Sequence, residues 1–306
     1  MSAVASERST PASIFPDSAN SHAPHSLTIG VRDSGVGGLT VARELKKQIP
    51  HARLLYFADT ANVPYGDRTP REVRYFALSI TEFLIGEGAD LVVFACNTSS
   101  AYALQIAKKR FDTPLIGMIE PGARAALIAN QSTPNAPIGV LATAATVQSR
   151  MYSRWIQGLQ IENGETPSGV LEVACPKFVP LVESEQASTP AARAACKEYL
   201  RPILEAKIKT VVLGCTHYPL LLPVLREVAP QINFVDPAQA VAKEAAALVA
   251  RGGVLQPSHL PDKFFVSGPT DGVENWIHKL LDNPNPEIAM GPVFTTPEKH
   301  DAEETP

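Results

Sequence analysis

The 306-residue sequence lacks two features that would assign it to a broad class of proteins. It contains no apolar run that approaches the ~20 residues needed by a membrane-spanning helix, so we expect no membrane partner. Its net charge of −4 at pH 7 shows no basic excess, which argues against nucleic acid as a partner. Because 45% of the residues are hydrophobic, the chain is able to bury a sizeable core, and its length predicts about two domains.

Cysteine is also scarce, and the residues present are Cys96, Cys175, Cys196 and Cys215. Four cysteines in a chain of this length do not form a disulfide scaffold. They include no Cys-x-x-Cys pair, which argues against a structural zinc site. We therefore predict free thiols and a cytoplasmic protein. Cys175 and Cys196 are not followed by polar residues of the kind that follow the other two cysteines, so they are predicted to be structural.

Two short stretches of the sequence look like copies of each other. Residues 91–98 read LVVFACNT, and residues 210–217 read TVVLGCTH. Each is an apolar run that ends in a cysteine, which is typical of a buried parallel strand followed by a turn. Open α/β sheets bind ligands at the carboxyl ends of their strands, so Cys96 and Cys215 stand where a ligand would bind.

Predicted strands alternate with predicted helices along nearly the whole chain, which is typical of α/β proteins with parallel sheets flanked by helices. The duplicated cysteine stretch predicts two pseudo-symmetric lobes with the active site in the cleft between them. Cys96 and Cys215 would then lie on opposite walls of that cleft. Outside the lobes, composition predicts a disordered tail over residues 1–26 and a weakly ordered tail over residues 286–306.

Three local predictions concern the ends of elements. Thr69, Pro70 and Glu72 match a capping box with proline at the first helical position, so a helix should begin there. Residues 115–119 read as a strand that ends in Glu120-Pro121-Gly122. Residues 264–266 read as an edge strand.

A glycine-rich turn, Asp33-Ser34-Gly35-Val36-Gly37-Gly38, joins the first predicted strand to the first predicted helix. Its glycine spacing is not G-x-G-x-x-G, and no P-loop lysine follows, so a dinucleotide site is disfavoured. Carboxylate binding by exposed backbone N–H groups at the helix N-terminus is favoured instead. The alternative is that the glycines serve a tight turn and nothing more.

Two thiols on opposite sides of a small chiral molecule are able to invert one of its carbon atoms. A thiolate removes a proton from one face, and the opposite thiol returns a proton to the other face. The ordinary thiol pKa of ~8.5 makes both forms reachable near neutral pH. Asp33 is a candidate acceptor for a proton from Cys96, and His217 is a candidate partner for Cys215.

Five segments together carry a family resemblance. They are the turn at 33–38, Pro64-Tyr65-Gly66, Ala95-Cys96-Asn97-Thr98, residues 175–183 (CPKFVPLVE) and residues 214–220 (GCTHYPL). With these segments in this order, the chain resembles the glutamate racemases of the cofactor-independent aspartate/glutamate racemase superfamily. The resemblance covers roughly residues 27–270.

This resemblance implies that Cys96 and Cys215 are the two catalytic acid/base groups. It implies that Asp33 assists the first thiol, and that His217 and Glu120 support the second. It implies a glutamate pocket lined by Asp33, Ser34, Tyr65, Gly66, Asn97, Thr98, Thr216 and His217. It further implies an enzyme without pyridoxal phosphate, other cofactors or metal, which forms homodimers and supplies D-glutamate for peptidoglycan synthesis.

The family layout also implies a discontinuous first lobe. The lobe that carries the first catalytic cysteine would comprise residues 27–115 and 236–285, and the other would comprise residues 116–235. Arg32 stands where the family usually has an apolar residue, so we expect its side chain to reach the cleft edge or a partner chain. Ala142 and Ala145 stand where glycines are common, so the turn between them is expected to differ from the family's.

Three other functions stay open on the sequence alone. A sister enzyme would racemise aspartate or another amino acid, although residues 216–219 (THYP) favour glutamate. A cysteine hydrolase would use one nucleophilic thiol helped by a base and would form an acyl-enzyme. A non-catalytic amino-acid-binding protein would use the cleft but would have no need of two thiols.

Overall fold

The computed structural model describes residues 26–133, 135–251, 258–270 and 272–296, in which strands alternate with helices. The strands are β1 (Thr28–Asp33), β2 (Arg53–Ala58), β3 (Leu91–Phe94), β4 (Leu115–Gly117), β5 (Ile138–Ala142), β6 (Val170–Ala174), β7 (Thr210–Gly214), β8 (Asn233–Val235), β9 (Lys263–Val266) and β10 (Glu287–Met290). The α-helices are α1 (Leu39–Gln48), α2 (Pro70–Gly86), α3 (Asn97–Arg110), α4 (Ile119–Ala129), α5 (Ala144–Ser149), α6 (Met151–Glu162), α7 (Phe178–Glu183), α8 (Pro190–Glu205), α9 (Leu222–Val228), α10 (Pro237–Arg251) and α11 (Val273–Leu281). Short 3₁₀ helices cover Tyr65–Asp67 and Tyr218–Leu221.

The strands form two parallel sheets flanked by helices. The first sheet has the strand order β10-β9-β2-β1-β3-β4, and the second has the order β6-β5-β7-β8. We call the parts built on these sheets the first lobe and the second lobe. The predicted α/β class with two lobes is confirmed, while the residue boundaries of the lobes stay a prediction. Among the described residues, none of the helices is both long enough and apolar enough to span a membrane.

The strand register sets the first cysteine motif at one edge of its sheet. Arg32 of β1 pairs with Phe94 of β3 in parallel. The next residues along the two strands, Asp33 and the segment that reaches Cys96, therefore leave the sheet at the same edge. This is the carboxyl edge, where ligands bind in open α/β sheets.

The register of the second sheet gives the same result for the second motif. Ala142 of β5 pairs with both Ala174 of β6 and Gly214 of β7. The residues that follow these three strand ends, Thr143, Cys175 and Cys215, therefore emerge side by side at the carboxyl edge of the second sheet.

Helix α2 begins as its sequence predicts. The Thr69 hydroxyl accepts a hydrogen bond from the N–H of Glu72, and the Glu72 carboxylate accepts one from the N–H of Thr69. Pro70 lies at the start of the helix, where its missing N–H would have no intrahelical acceptor. The capping box is confirmed, and it anchors a helix that packs on α3, whose N-cap is Cys96.

Helix α4 differs from the prediction of a strand ending in Glu120-Pro121-Gly122. The strand β4 ends at Gly117, and α4 begins two residues later at Ile119. Pro121 is tolerated because it lies in the first turn, where backbone N–H groups have no intrahelical acceptor. Reading proline and glycine as breakers therefore misses a helix, and it places Glu120 at a strand end when it belongs to a helix.

The first sheet also extends further than predicted. The sequence predicts an edge strand at residues 264–266, but β9 lies between β2 and β10. The edge strand is β10 (Glu287–Met290), inside the predicted weakly ordered tail, and Phe294 beyond it lies 6.2 Å from Phe57 between ring centroids. These apolar and strand contacts correct the prediction up to residue 296. Residues 297–306 and 1–25 of the predicted tails lie outside the described residues.

Candidate active site

The first wall of the site forms where β1 and β3 end. Cys96 is the N-cap of α3 and is 6% exposed. Its carbonyl oxygen accepts hydrogen bonds from the hydroxyls of Ser99 and Ser100, both at 3.0 Å, which fix the turn from strand to helix. Asp33 is fully buried at the end of β1, and its carboxylate accepts the N–H of Gly35 at 3.0 Å.

The second wall holds a thiol, an imidazole and a carboxylate in a row. Cys215 follows β7 directly and is 7% exposed. Its Sγ lies 3.7 Å from Nδ1 of His217. The other ring nitrogen of His217, Nε2, donates to Oε1 of Glu183 at 2.6 Å. The carboxylate therefore orients the imidazole toward the thiol.

Asn97 presents an unused amide donor beside the first thiol. The Tyr152 hydroxyl donates to Oδ1 of Asn97 at 2.7 Å, which fixes the orientation of the amide. Asn97 is 2% exposed, and its Nδ2 has no hydrogen-bond partner among the residues that the structure describes. Buried donors are rarely left unpaired, so this amide is available to an acceptor on a bound ligand.

Hydrogen bonds among three threonine hydroxyls link the two lobes at the turn after β5. Oγ1 of Thr98 lies 2.9 Å from Oγ1 of Thr143 and 3.0 Å from Oγ1 of Thr146. Thr143 is the N-cap of α5, and its hydroxyl accepts the N–H of Thr146. The turn is therefore closed by a side-chain cap, with the buried Ala142 and Ala145 in place of the glycines that the resemblance implies.

Both catalytic candidates, Cys96 and Cys215, line one pocket between the lobes. The first lobe contributes Ser34, Tyr65, Gly66, Asn97 and Thr98 to the lining, and the second lobe contributes Thr143, Cys175, Thr216 and His217. The pocket thus combines a reactive-thiol candidate from each lobe with hydroxyl, amide and imidazole groups. This arrangement is able to hold a small polar molecule and to move protons on two of its faces.

The second wall places an imidazole in contact with its thiol. Burial alone would lower the pKa of His217, but hydrogen bonds to Cys215 and Glu183, and the charges of both, raise it well above its ordinary value. We therefore expect an imidazolium near neutral pH. A cation in contact with a thiol stabilises the thiolate form.

The charges on the first wall act in the opposite direction. Burial raises the pKa of Cys96, and the negative charge of Asp33 raises it further, against smaller opposing effects of Arg32 and Ser99. Burial also raises the pKa of Asp33, although the charge of His217 opposes that rise. The first thiol therefore favours its protonated form.

The glycine-rich turn packs directly against the second wall. A Cβ atom on Gly37 would lie 2.5 Å from Nδ1 of His217 and 2.5 Å from Oγ1 of Thr216, so no side chain fits there. The Thr40 hydroxyl donates to the carbonyl oxygen of Thr216 at 3.2 Å, and the Thr216 hydroxyl donates to Oδ2 of Asp33 at 3.3 Å. Close approach of the two lobes accounts for this glycine.

Comparison with known proteins identifies the family. The sequence model of the Asp/Glu/hydantoin racemase family matches residues 39–245. The chain belongs to this family. Glutamate racemase from Desulforudis audaxviator is 43% identical over 253 residues, which are 80% of this chain and 90% of that relative. Glutamate racemase from Trichodesmium erythraeum is 45% identical over 219 residues, which are 71% of this chain and 77% of that relative.

Solved structures of this racemase family agree with the fold. A glutamate racemase isoform from Bacillus anthracis superposes with a TM-score of 0.79 at 33% identity, covering 88% of this chain and 98% of that one. Glutamate racemase from Francisella tularensis in complex with D-glutamate superposes with a TM-score of 0.78 at 27% identity, with the same coverage. The resemblance read from the sequence motifs is confirmed.

Most pocket residues implied by the racemase resemblance lie together. Seven of the eight line the pocket, and these are Ser34, Tyr65, Gly66, Asn97, Thr98, Thr216 and His217. Asp33 does not line it, because its carboxylate is buried beneath and bonds to Gly35 and Thr216. Its position allows it to influence Cys96 through charge, whereas direct contact with a ligand would need a rearrangement.

Glu120 is a correction to the site predicted from the racemase pattern. It lies in the first turn of α4, where its carboxylate accepts a hydrogen bond from Arg124 at 2.9 Å, and it is not part of the pocket lining. The carboxylate that contacts His217 is Glu183. A signal for it existed, since Glu183 closes the segment 175–183 that matches the racemase family.

The two remaining cysteines separate into a core thiol and a pocket thiol. Cys196 is fully buried in α8, and burial raises its pKa to about 12, so the predicted structural role is confirmed. Cys175 is also fully buried but lines the pocket. Burial raises the pKa of Cys175 well above its ordinary value, so it faces the pocket as a neutral thiol.

Proposed function

We propose that this chain interconverts L- and D-glutamate without a cofactor: one thiolate removes the α-proton, and the other thiol donates its own proton to the opposite face. The observation that carries this proposal is the position of Cys96 and Cys215, which line one pocket from separate lobes. A hydrolase with one nucleophile, or a protein that merely binds an amino acid, would not need a thiol on each wall.

In one direction, the Cys215 thiolate removes the α-proton from one face of the amino acid. The electron pair of the broken C–H bond stays on the α-carbon, which then takes the S–H proton of Cys96 on the opposite face. The product has inverted configuration, and Cys96 is left as the thiolate. In the other direction Cys96 is the base and Cys215 is the acid, so each turnover returns the pair to the state that the opposite enantiomer needs.

Charges around the pocket support this chemistry. His217, oriented by Glu183, stabilises the Cys215 thiolate before that thiolate removes the α-proton. General acid–base catalysis is worth about 10²–10⁴-fold, so the negative charge that builds on the substrate also needs preorganised donors. Asn97 lines the pocket, and its Nδ2, which has no hydrogen-bond partner among the described residues, is a candidate for such a donor.

Glutamate as the substrate rests on the relatives. The proteins that match at 43% and 45% identity are glutamate racemases, and the Francisella tularensis structure holds D-glutamate. From the family resemblance, we further propose that the D-glutamate is used for peptidoglycan synthesis in the cytoplasm, and that the enzyme forms homodimers. Light scattering on the purified full-length chain measures the last of these.

The test is racemisation by the purified full-length chain after dialysis, with no cofactor added. Chiral chromatography should show L-glutamate and D-glutamate each converting to the other, toward a 1:1 mixture. L-Aspartate under identical conditions is the matched comparison. Conversion of aspartate without conversion of glutamate would assign the chain to a sister racemase, and binding of glutamate without conversion would leave a binding protein.

A further inference from the structure

Arg32 is a fully buried cation in the middle of the first sheet. It lies in β1, between Phe57 of β2 and Phe94 of β3 in the strand register, and its exposure is 0%. None of its three guanidinium nitrogens has a hydrogen-bond partner among the residues that the structure describes. The sequence expectation that this side chain reaches the cleft edge or a partner chain is therefore wrong.

A buried arginine of this kind needs a physical reason. Its guanidinium stays charged in proteins, so it does not escape the penalty of burial by losing a proton. Its central carbon lies 5.1 Å from the ring centroid of Phe94 and 5.8 Å from that of Tyr65, and these contacts offset part of the penalty. An apolar side chain would fill the same space without any penalty, so packing does not explain the charge.

Arg32 lies over two rings of the buried cluster that also contains the first thiol. Phe94 and Tyr65, over which the guanidinium lies, belong to the same buried cluster as Cys96. Tyr65 and Cys96 line the pocket, whereas Arg32 does not. In the strand register Arg32 pairs with Phe94, two residues before Cys96, so the cation lies in the sheet close to where the first thiol emerges.

The other ionisable groups around this cluster already have hydrogen-bond partners. Asp59 accepts hydrogen bonds from Asn62, from the Tyr65 hydroxyl at 2.5 Å and from the Ser267 hydroxyl at 2.7 Å. Asp33 accepts hydrogen bonds from Gly35 and Thr216, and Tyr56 donates its hydroxyl to the carbonyl oxygen of Gly35. Cys96 is the group here that the proposed reaction requires to become an anion.

We infer that Arg32 is a positioning residue for the proposed racemisation, whose buried guanidinium stabilises the thiolate form of Cys96. The inference rests on the proposed function, because that reaction makes Cys96 the base in one direction. Burial and Asp33 both raise the pKa of Cys96, and the charge of Arg32 opposes them. The side chain thus supplies on the first wall the positive charge that His217 supplies on the second.

The test follows each thiol separately in the full-length chain. Wild type, Arg32→Met and Arg32→Lys are alkylated with iodoacetamide across a range of pH, and labelling of Cys96 and of Cys215 is quantified by peptide mass spectrometry. Since thiolate is the reacting form, we expect Arg32→Met to label Cys96 about tenfold more slowly near neutral pH, equal to a rise of about one pKa unit. Labelling of Cys215 in the same samples is the internal control and should not change.

The two variants separate charge from structure. Arg32→Lys retains a cation, so its Cys96 should be labelled faster than that of Arg32→Met. The kcat/KM–pH profile of Arg32→Met should shift to higher pH for the enantiomer whose α-proton Cys96 removes. If Arg32→Met does not fold, Arg32→Gln replaces it. An unchanged Cys96 titration in the neutral variant, or equal titrations for the methionine and lysine variants, would overturn the inference. Absence of glutamate racemisation in the wild type would overturn the proposed function instead, whatever the titration gives.

Discussion

The two walls of the pocket grow from copies of one strand motif, yet they surround their thiols with different charges. Cys215 lies beside an imidazole that is backed by the carboxylate of Glu183. Cys96 has Asp33 as a neighbouring acid and the buried Arg32 as a neighbouring cation. The same backbone unit therefore holds two thiols in different electrostatic surroundings.

This difference suits a reaction that needs one thiolate and one thiol at the same time. Two thiols in identical surroundings would titrate together and would often both hold or both lack a proton. Unequal walls favour the state in which one thiol is protonated and the other is a thiolate. Each turnover exchanges these two protonation states, because one thiol gives its proton to the substrate while the other takes the α-proton, so neither environment can favour one form so strongly that the return step fails.

The largest expected effect comes from removing either thiol. Cys96→Ala and Cys215→Ala should each lower racemisation in both directions by about 10²–10⁴-fold or more, because every turnover needs a base and an acid. Chiral chromatography measures both directions. Cys196→Ala, in the core of α8, is the matched control and should keep the wild-type rate. Full activity after loss of either Cys96 or Cys215 would show that the reaction does not need a thiol on each wall.

A smaller effect is expected when the support of His217 is weakened. Glu183→Gln removes a charged hydrogen-bond partner, which is worth about 1.5–3 kcal/mol, so kcat/KM should fall about 10–100-fold. Glu120→Gln is the matched control, since Glu120 bonds to Arg124 on α4 and lies outside the pocket lining. Equal losses in the two variants would contradict the assignment of the carboxylate to the second wall.

The junction between the walls is tested at Gly37. Gly37→Ala places a Cβ atom 2.5 Å from His217 and Thr216, so we expect a loss of stability of about 1–3 kcal/mol together with reduced activity. Urea denaturation measures the first. Gly86→Ala, where no atom lies within 4 Å of the added Cβ, should be neutral or slightly stabilising. Wild-type stability in Gly37→Ala would mean that the lobes have room to separate there.

The smallest effect concerns pH and the second wall. The pKa of His217 is raised in the folded chain above its ordinary value of 6.5, so the folded state holds this proton more tightly than the unfolded state. The resulting stability is fully present below pH 6.5 and is lost as the pH rises through the folded-state pKa. The difference in free energy of unfolding between wild type and His217→Gln should therefore shrink from about pH 6 to higher pH. A difference that grows with pH would contradict the assignment of a protonated His217 in the folded chain.

Much of this site was predictable because local rules and tertiary structure agree. The capping box at Thr69 works as its sequence predicts, and the duplicated apolar strands place both pocket cysteines at the carboxyl edges of parallel sheets. Strand period and polarity change are local properties, so the sequence alone carries them.

The errors arose where a local signal was outweighed by long-range contacts. Pro121 and Gly122 look like breakers, yet they lie in the first turn of α4. Glu120 lies in the same turn, where it bonds to Arg124 and not to a group at the second thiol. Glu183 reaches His217 across 34 positions in the chain, a contact that no local pattern specifies. Arg32 violates the rule that central strands bury apolar residues, and such violations are expected at functional sites.

The most direct test of the two-wall mechanism follows deuterium during the first few per cent of turnover in D₂O. L-Glutamate and D-glutamate are supplied separately, and the α-position of both the product and the unreacted substrate is read by NMR and mass spectrometry. Two thiols on opposite faces predict that the product carries solvent deuterium, while the recovered substrate keeps its α-hydrogen. Equal deuterium in product and recovered substrate, or a product that retains the original hydrogen, would contradict removal of the proton by one thiol and donation of another by the opposite thiol.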